Sequence, residues 1–169
     1  MFISGFINLS NNYFWFKNIE VNTLNISDSY ETIEARVKQL RVLYPNATYT
    51  NNHTGSVFTE NYEAMDKLFR ALKKYNFIFV DSRTTPNSVA KELSIKYQMP
   101  YIVRDTFLDN DRSFTAIQNQ LKDAIRVAKK QGFAIAIGHP YEVTFQVLKE
   151  SKHLLNDVEP IFLNKLPYL

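Results

Sequence analysis

The strongest constraint on this chain is an alternation. Short, wholly apolar runs recur along it, each followed at once by a polar cluster and then by a stretch whose apolar residues have helical spacing. "FIFV" (Phe77 to Val80), "YIV" (Tyr101 to Val103) and "FAIAI" (Phe133 to Ile137) read as strands buried on both faces. A short extended piece is expected over Ala47 to Thr50, and a final strand from about Glu159 to Leu163. Helices fall between them. Asp28, with Glu31 three residues on, reads as a capping box ahead of Ile33, Val37, Leu40 and Tyr44, and Pro45 stops that helix. Thr59 is placed to cap a helix burying Tyr62, Met65, Phe69 and Leu72, and Pro86 suits the first turn of one carrying Val89, Leu93 and Tyr97. Ser113 opens a longer helix with Ile117, Leu121, Ile125 and Ala128 inward, ended by Gly132, and Asp109 and Asp111 read as further caps there. A last helix carries Val143, Val147 and Leu148. Strand and helix in strict alternation argue for an α/β fold with a parallel sheet and crossover helices.

In parallel α/β architectures the strand ends share one edge, and sites are built there. "NNHTGS", "DSRTT", "RDTFLDN" and "GHPY" each follow directly on a strand. The convergent set is His53, Asp81, Arg83, Arg104, Asp105 and His139, with Asn51, Asn52, Thr54 and Ser56 as hydrogen-bonding companions. Two imidazoles and a carboxylate are ligand types that zinc accepts in an open, catalytic site. A metal there would bring the pKa of bound water to roughly 7 and polarise a carbonyl, while a second histidine protonates a leaving group. Arg83 or Arg104 would orient Asp81 or Asp105, although Asp81 with Arg83 reads equally well as a plain ion pair. Gly138 permits close backbone approach beside His139, and Pro140 starts the helix behind it. His153, late in a helix among Lys and Glu, reads as solvent-exposed. The sequence contains no Gly-rich phosphate loop, no Gly-x-Ser-x-Gly elbow and no His-Glu-x-x-His helix, which leaves metal-assisted hydrolysis.

Composition narrows the setting. With 169 residues, 45% of them hydrophobic, the chain can bury the core of one compact domain or most of a larger one. Twenty Lys and Arg against 17 Asp and Glu give +3, scattered along the chain, which argues against nucleic acid as a partner. There is no cysteine, so a transition metal has only His, Asp or Glu to hold it. No run reaches the roughly 18 apolar residues of a membrane span. The opening "MFISGFINLSNNYFWF" is apolar but broken by Ser, Gly and Asn, without the basic start or cleavage site of a signal peptide.

Several long motifs in series carry a resemblance. "NNHTGSVFT", "FVDSRTTPNSVA", "RDTFLDND", "QNQLKDAI" and "AIAIGHPYEVT" are similar, in order and spacing, to the C-terminal part of the divergent polysaccharide deacetylase family, from about Asn22 to Leu166. The resemblance implies a partly open, deformed (β/α) barrel of the NodB-like kind and removal of acetyl groups from an amino-sugar polymer. It also implies zinc or another divalent metal and a place in the cell envelope or periplasm. It makes His53 a metal ligand and His139 the acid or a metal-proximal residue. Asp81, Arg83, Arg104 and Asp105 line the site, and Asn52, Ser56 and Tyr141 meet the substrate, Tyr141 (like Tyr101) lying where a ring could stack on a sugar.

Members of that family begin with a strand ending in two aspartates, whereas here no Asp-Asp pair exists and the first aspartate is Asp28. Met1 to Phe16 supplies no His, Asp or Glu either. Two expectations follow. The chain is one deacetylase-like domain over 1–169, lacking the first barrel strands and atypical over 1–21, or it is a non-catalytic envelope module that keeps the groove to bind glycan or protein. Missing strands leave a sheet edge for a second copy, giving a homodimer, or for the aromatic N-terminal segment to cover.

Overall fold

The computed structural model describes residues 2–5, as main chain, and 23–166. It divides into two compact units, Met1–Val103 and Arg104–Leu169. In the first, a four-stranded sheet has the order β1 (Phe2–Gly5), β2 (Tyr49–His53), β3 (Ile78–Asp81), β4 (Ile102–Val103). β2 and β3 are parallel, with Asn51 beside Val80, and β3 and β4 are parallel, with Asp81 beside Val103. The β2 edge is taken by the opening of the chain itself, the second of the two covers expected for an exposed edge. β1 runs antiparallel to β2 and places Phe2 beside His53. The rest of the aromatic opening and of the atypical stretch, residues 6–21, lies outside the described residues.

Three longer helices pack in this unit: α1 (Tyr30–Leu43), α3 (Tyr62–Lys74) and α4 (Ala90–Tyr97), with a short α2 (Ser56–Glu60) before α3. The face Ala64, Met65, Leu68, Phe69, Ala71 and Leu72 of α3 is buried, a stripe repeating every three to four residues. It meets Ile33 and Val37 of α1, Leu93 of α4, and Phe77 and Phe79 at the sheet, all in one apolar cluster. The rings of Phe69 and Phe79 lie 5.4 Å apart at 56°.

Three helix starts differ from expectation, each for a local reason. Ser29 caps α1, accepting Thr32 N–H at 3.2 Å, because Asp28 instead closes a turn by accepting Asn25 N–H at 2.8 Å. Asn61 caps α3, accepting Ala64 N–H at 2.9 Å, because Thr59 is already inside α2. Tyr62 is accordingly exposed. Pro86 lies in a turn, and α4 begins four residues later at Ala90.

Tyr97 closes α4 and gives a spectroscopic prediction. Burial, reinforced by its hydrogen bond to Asp66 at 2.9 Å, pushes its phenol up to about 12. A raised pKa means that the phenol's contribution to stability is complete below the unfolded value near 10 and is lost as pH rises through about 12. Absorbance titration near 295 nm should therefore show Tyr97 ionising late, and Tyr97→Phe should diminish the late phase.

In the second unit β5 (Thr106–Phe107) and β6 (Ala136–Ile137) form a parallel pair, flanked by α5 (Phe114–Gln131) and α6 (Glu142–Glu150). Ser113 and Gly132 bound α5 as expected: Ser113 Oγ accepts Ala116 N–H at 3.3 Å, and Gly132 ends the helix at φ 95°. The core here lies between helices and the end of β5, with Ile117, Leu121, Val147 and Leu108 buried together. β6 is therefore not a strand buried on both faces: Ala136 is exposed and Ile137 half-buried. The expected strand from Glu159 to Leu163 does not form. Pro160 has no N–H to give a ladder, Ile161 and Phe162 are exposed, and Leu163–Lys165 turns as a 3-10 helix. Among the described residues no helix is long and apolar enough to cross a membrane.

Candidate functional site

The parallel register of β5 and β6 sets the geometry in the second unit. Phe107 lies beside Ile137, so the residues two places beyond, Asp109 and His139, leave the same edge together. Asp109 is fully buried and holds three donors. Its Oδ1 is 2.8 Å from His139 Nδ1, and its Oδ2 accepts the His139 main-chain N–H at 2.6 Å and the Thr144 hydroxyl at 2.8 Å. An ionised carboxylate can only accept, so Nδ1 carries the proton in this bond and Nε2 is the acceptor nitrogen of the neutral ring. The imidazole is 24% exposed.

Rings extend from the dyad on both sides. Phe107 is 5.4 Å and Tyr141 5.0 Å from the imidazole, centroid to centroid. Arg104 lies over Phe107 at 5.2 Å, and Arg112 over Tyr141 at 4.0 Å. Gly138 is needed where the backbone passes the carboxylate, since a Cβ there would come within 3.3 Å of Asp109 Oδ2 and 3.4 Å of Leu108. Asp109 is pinned by its three donors and cannot give way, so Gly138→Ala should cost about 1–2 kcal/mol in urea denaturation.

In the first unit the ends of β2 and β3 form a second polar group. Asn51 Nδ2 donates to Ser82 Oγ at 3.0 Å. Asn52, expected to meet substrate, is 1% exposed and acts as a strut: its Oδ1 accepts Ser82 N–H at 2.8 Å and its Nδ2 donates to Thr84 at 3.3 Å. Both strands end in left-handed residues, Thr54 at φ 60° and Arg83 at φ 50°, a conformation that non-glycine residues adopt at a cost of about 1–3 kcal/mol each. Gly55 follows Thr54 at φ 84°, and Ser56 begins α2 behind it. His53 is exposed at the end of β2.

Asp81 is completely buried at the end of β3. Its Oδ1 accepts the Arg83 main-chain N–H at 2.7 Å, which closes the turn, while Oδ2 is the one buried side-chain atom among the described residues without a hydrogen-bond partner. The hydroxyl of Tyr101 feels this pair. Burial pushes its ionisation up, the Asp81 charge adds to that, and Arg83 opposes it.

Asp105, expected in the site, is engaged elsewhere: one oxygen accepts Gln131 Nε2 at 3.0 Å and the other Ile135 N–H at 2.8 Å, tying the end of α5 to the approach to β6. Asp109, read from the sequence as a helix cap, is instead the partner of His139. Asp111 does act locally, accepting Ser113 N–H at 2.8 Å. Arg112, Phe107 and Thr144 are further site residues that sequence reasoning missed. The available signal was the equal spacing of Asp109 and His139 beyond two strands, but it is visible only once "TF" is seen to be a strand.

His53 and His139 were the expected metal ligands. Among the described residues no group of three or more His, Cys, Asp or Glu is arranged to hold a metal ion. His139 Nδ1 is already on Asp109, and Asp105 is tied at both oxygens. These residues do not fit a catalytic zinc with three protein ligands, and no step below passes through a metal.

Residues 12–166 match the profile of the family described as divergent polysaccharide deacetylase. An uncharacterized protein of Haemophilus influenzae is 34% identical over 149 residues, which are 88% of this chain and 53% of that protein. The uncharacterized protein YibQ of Escherichia coli K12 is 36% identical over 132 residues, 78% of this chain and 41% of its own length. The chain thus spans about half the length of the curated relatives it matches. The crystal structure of uncharacterized protein ATU2773 from Agrobacterium tumefaciens C58 superposes with a TM-score of 0.71 at 21% identity, covering 81% of this chain and 56% of that one.

Proposed function

Because the chain belongs to the divergent polysaccharide deacetylase family, we propose that it is a carbohydrate deacetylase module in which His139, fixed by Asp109, delivers the proton to the departing amine. The observation that carries this reading is the buried carboxylate on Nδ1, which fixes the orientation and tautomer of a partly open imidazole. Nε2 takes a proton from water as its oxygen adds to the acetyl carbonyl and returns that proton to the nitrogen as the C–N bond breaks, which frees the amine and acetic acid, the latter ionising to acetate. A placed general acid contributes roughly 10²–10⁴-fold to such a step. Phe107 and Tyr141 beside the imidazole offer apolar faces to a sugar ring, and Arg104, over Phe107, supplies positive charge for the oxyanion.

Family membership and the parallel pairing of β2 with β3, β3 with β4 and β5 with β6 support a deformed (β/α) barrel of the NodB-like kind, and family membership supports an amino-sugar polymer as partner and the cell envelope as the place of action. For zinc or another divalent cation, the candidate donor among the described residues is His53. A second reading, a non-catalytic glycan-binding module, draws on the absence of an Asp-Asp pair from the sequence.

Acetate release from an N-acetylglucosamine oligomer separates these readings, measured for the whole chain, for His139→Gln and for His153→Gln as an exposed control. Release that His139→Gln lowers by about 10²-fold or more, with His153→Gln unchanged, is the expected result. Release indifferent to His139→Gln would overturn the acid assignment, and binding of the oligomer without release would establish the second reading.

A further inference from the structure

We propose that Arg112 selects for a carboxylate on the sugar next to the one held at His139, so that the glycan is an acidic one. This rests on the reading of His139 as the glycan site. Arg112 is exposed, yet it is fixed: its guanidinium carbon stands 4.0 Å above the Tyr141 ring, and Nη2 donates to the Tyr141 hydroxyl at 2.8 Å. Tyr141 is in turn 5.0 Å from the imidazole of His139. Among the described residues Arg112 makes no ion pair, and its remaining N–H donors have no protein acceptor.

An exposed arginine normally remains mobile or pairs with an acid, and holding it still costs side-chain entropy. Here a stack and a hydrogen bond meet that cost while the planar fork is left unmatched. Such a fork is pre-organised for the two oxygens of a carboxylate. The acidic neighbours do not fill it. Asp109 is buried under three donors, Asp111 accepts the Ser113 N–H, and Glu142, which follows Tyr141, makes no ion pair among the described residues.

The test is calorimetric titration of the whole chain with two tetrasaccharides of equal length, one of N-acetylglucosamine alone and one alternating glucuronate with N-acetylglucosamine. The acidic probe should bind about tenfold more tightly, and Arg112→Gln should remove that preference. Arg112→Lys, which keeps the charge and loses the fork, should restore only part of it, and the preference should shrink as salt is raised. Arg112 is exposed, so an unchanged melting temperature is expected of both variants. Equal affinity of the wild type for both probes would overturn the proposal and leave the glycan reading standing, as would an acidic preference that survives Arg112→Gln. Stronger competition by glucosamine 6-phosphate than by glucuronate would overturn the carboxylate assignment. Binding of neither probe would overturn both readings.

Discussion

Asp109→Asn is expected to lower stability by about 2–3 kcal/mol and to reverse the proton on His139. The reason is a count of donors and acceptors. Asp109 accepts from His139 N–H and Thr144 Oγ at one oxygen and from His139 Nδ1 at the other. Asparagine can accept at only one of those positions. If its oxygen stays on the main-chain N–H and Thr144, its NH₂ faces Nδ1, which must then give up its proton to act as acceptor. In the neutral ring Nε2 becomes the N–H, the wrong tautomer for cycling a proton with substrate. A wrong tautomer of this kind costs about 10⁴-fold in a serine protease, so a drop of roughly 10²–10⁴-fold is expected for the proposed acetate release. Asp109→Ala leaves three donors unmatched, one buried and two part-buried, and should cost more, about 3–5 kcal/mol. Denaturant titration checks the first number and single-turnover acetate release the second.

The second large effect is expected in the first unit, at Arg41. Its Nε donates to the Tyr75 carbonyl at 3.0 Å, its Nη1 to Tyr44, Pro45 and Ala47 at 3.3, 3.0 and 2.8 Å, and its Nη2 to Tyr75 and Asn76 at 2.8 and 3.0 Å. The guanidinium also lies 3.9 Å over the Phe77 ring. One side chain thus gathers the carbonyls released where α1 and α3 end and the chain turns toward β2 and β3, groups for which a helix has no internal partner. Arg41→Met keeps most of the apolar stem and removes every donor. A loss of about 3 kcal/mol is expected by chemical denaturation, discounted for the water that reaches this half-buried site. Arg41→Lys should recover less than half of it, because an ammonium cannot span carbonyls that a planar fork bridges. A loss below 1 kcal/mol would show the clasp to be incidental.

Much of this was legible in the chain, and the parts that were not have physical causes. The α/β alternation, the α5 boundaries at Ser113 and Gly132, and His139 beyond a strand all follow from periodicity and cap chemistry. Ser29 against Asp28 was not decidable, since both residues cap well and only the competing turn at Asn25 separates them. β5 was hidden because two residues cannot display a period, and with β5 hidden Asp109 looked like a cap. "FAIAI" overstated its burial because apolar composition cannot report how few strands lie beside it. The strut role of Asn52 and the engagement of Asp105 depend on partners roughly thirty residues away, which no local pattern encodes.

The most direct test of the dyad is the side-chain nitrogen spectrum of His139, read by long-range ¹H–¹⁵N correlation in the whole chain and in Asp109→Asn. A carboxylate on Nδ1 predicts the Nδ1–H form of the neutral ring in the wild type and a switch to Nε2–H in the variant. An Nε2–H ring in the wild type, or a tautomer indifferent to Asp109→Asn, would contradict the assignment of His139 as the proton carrier.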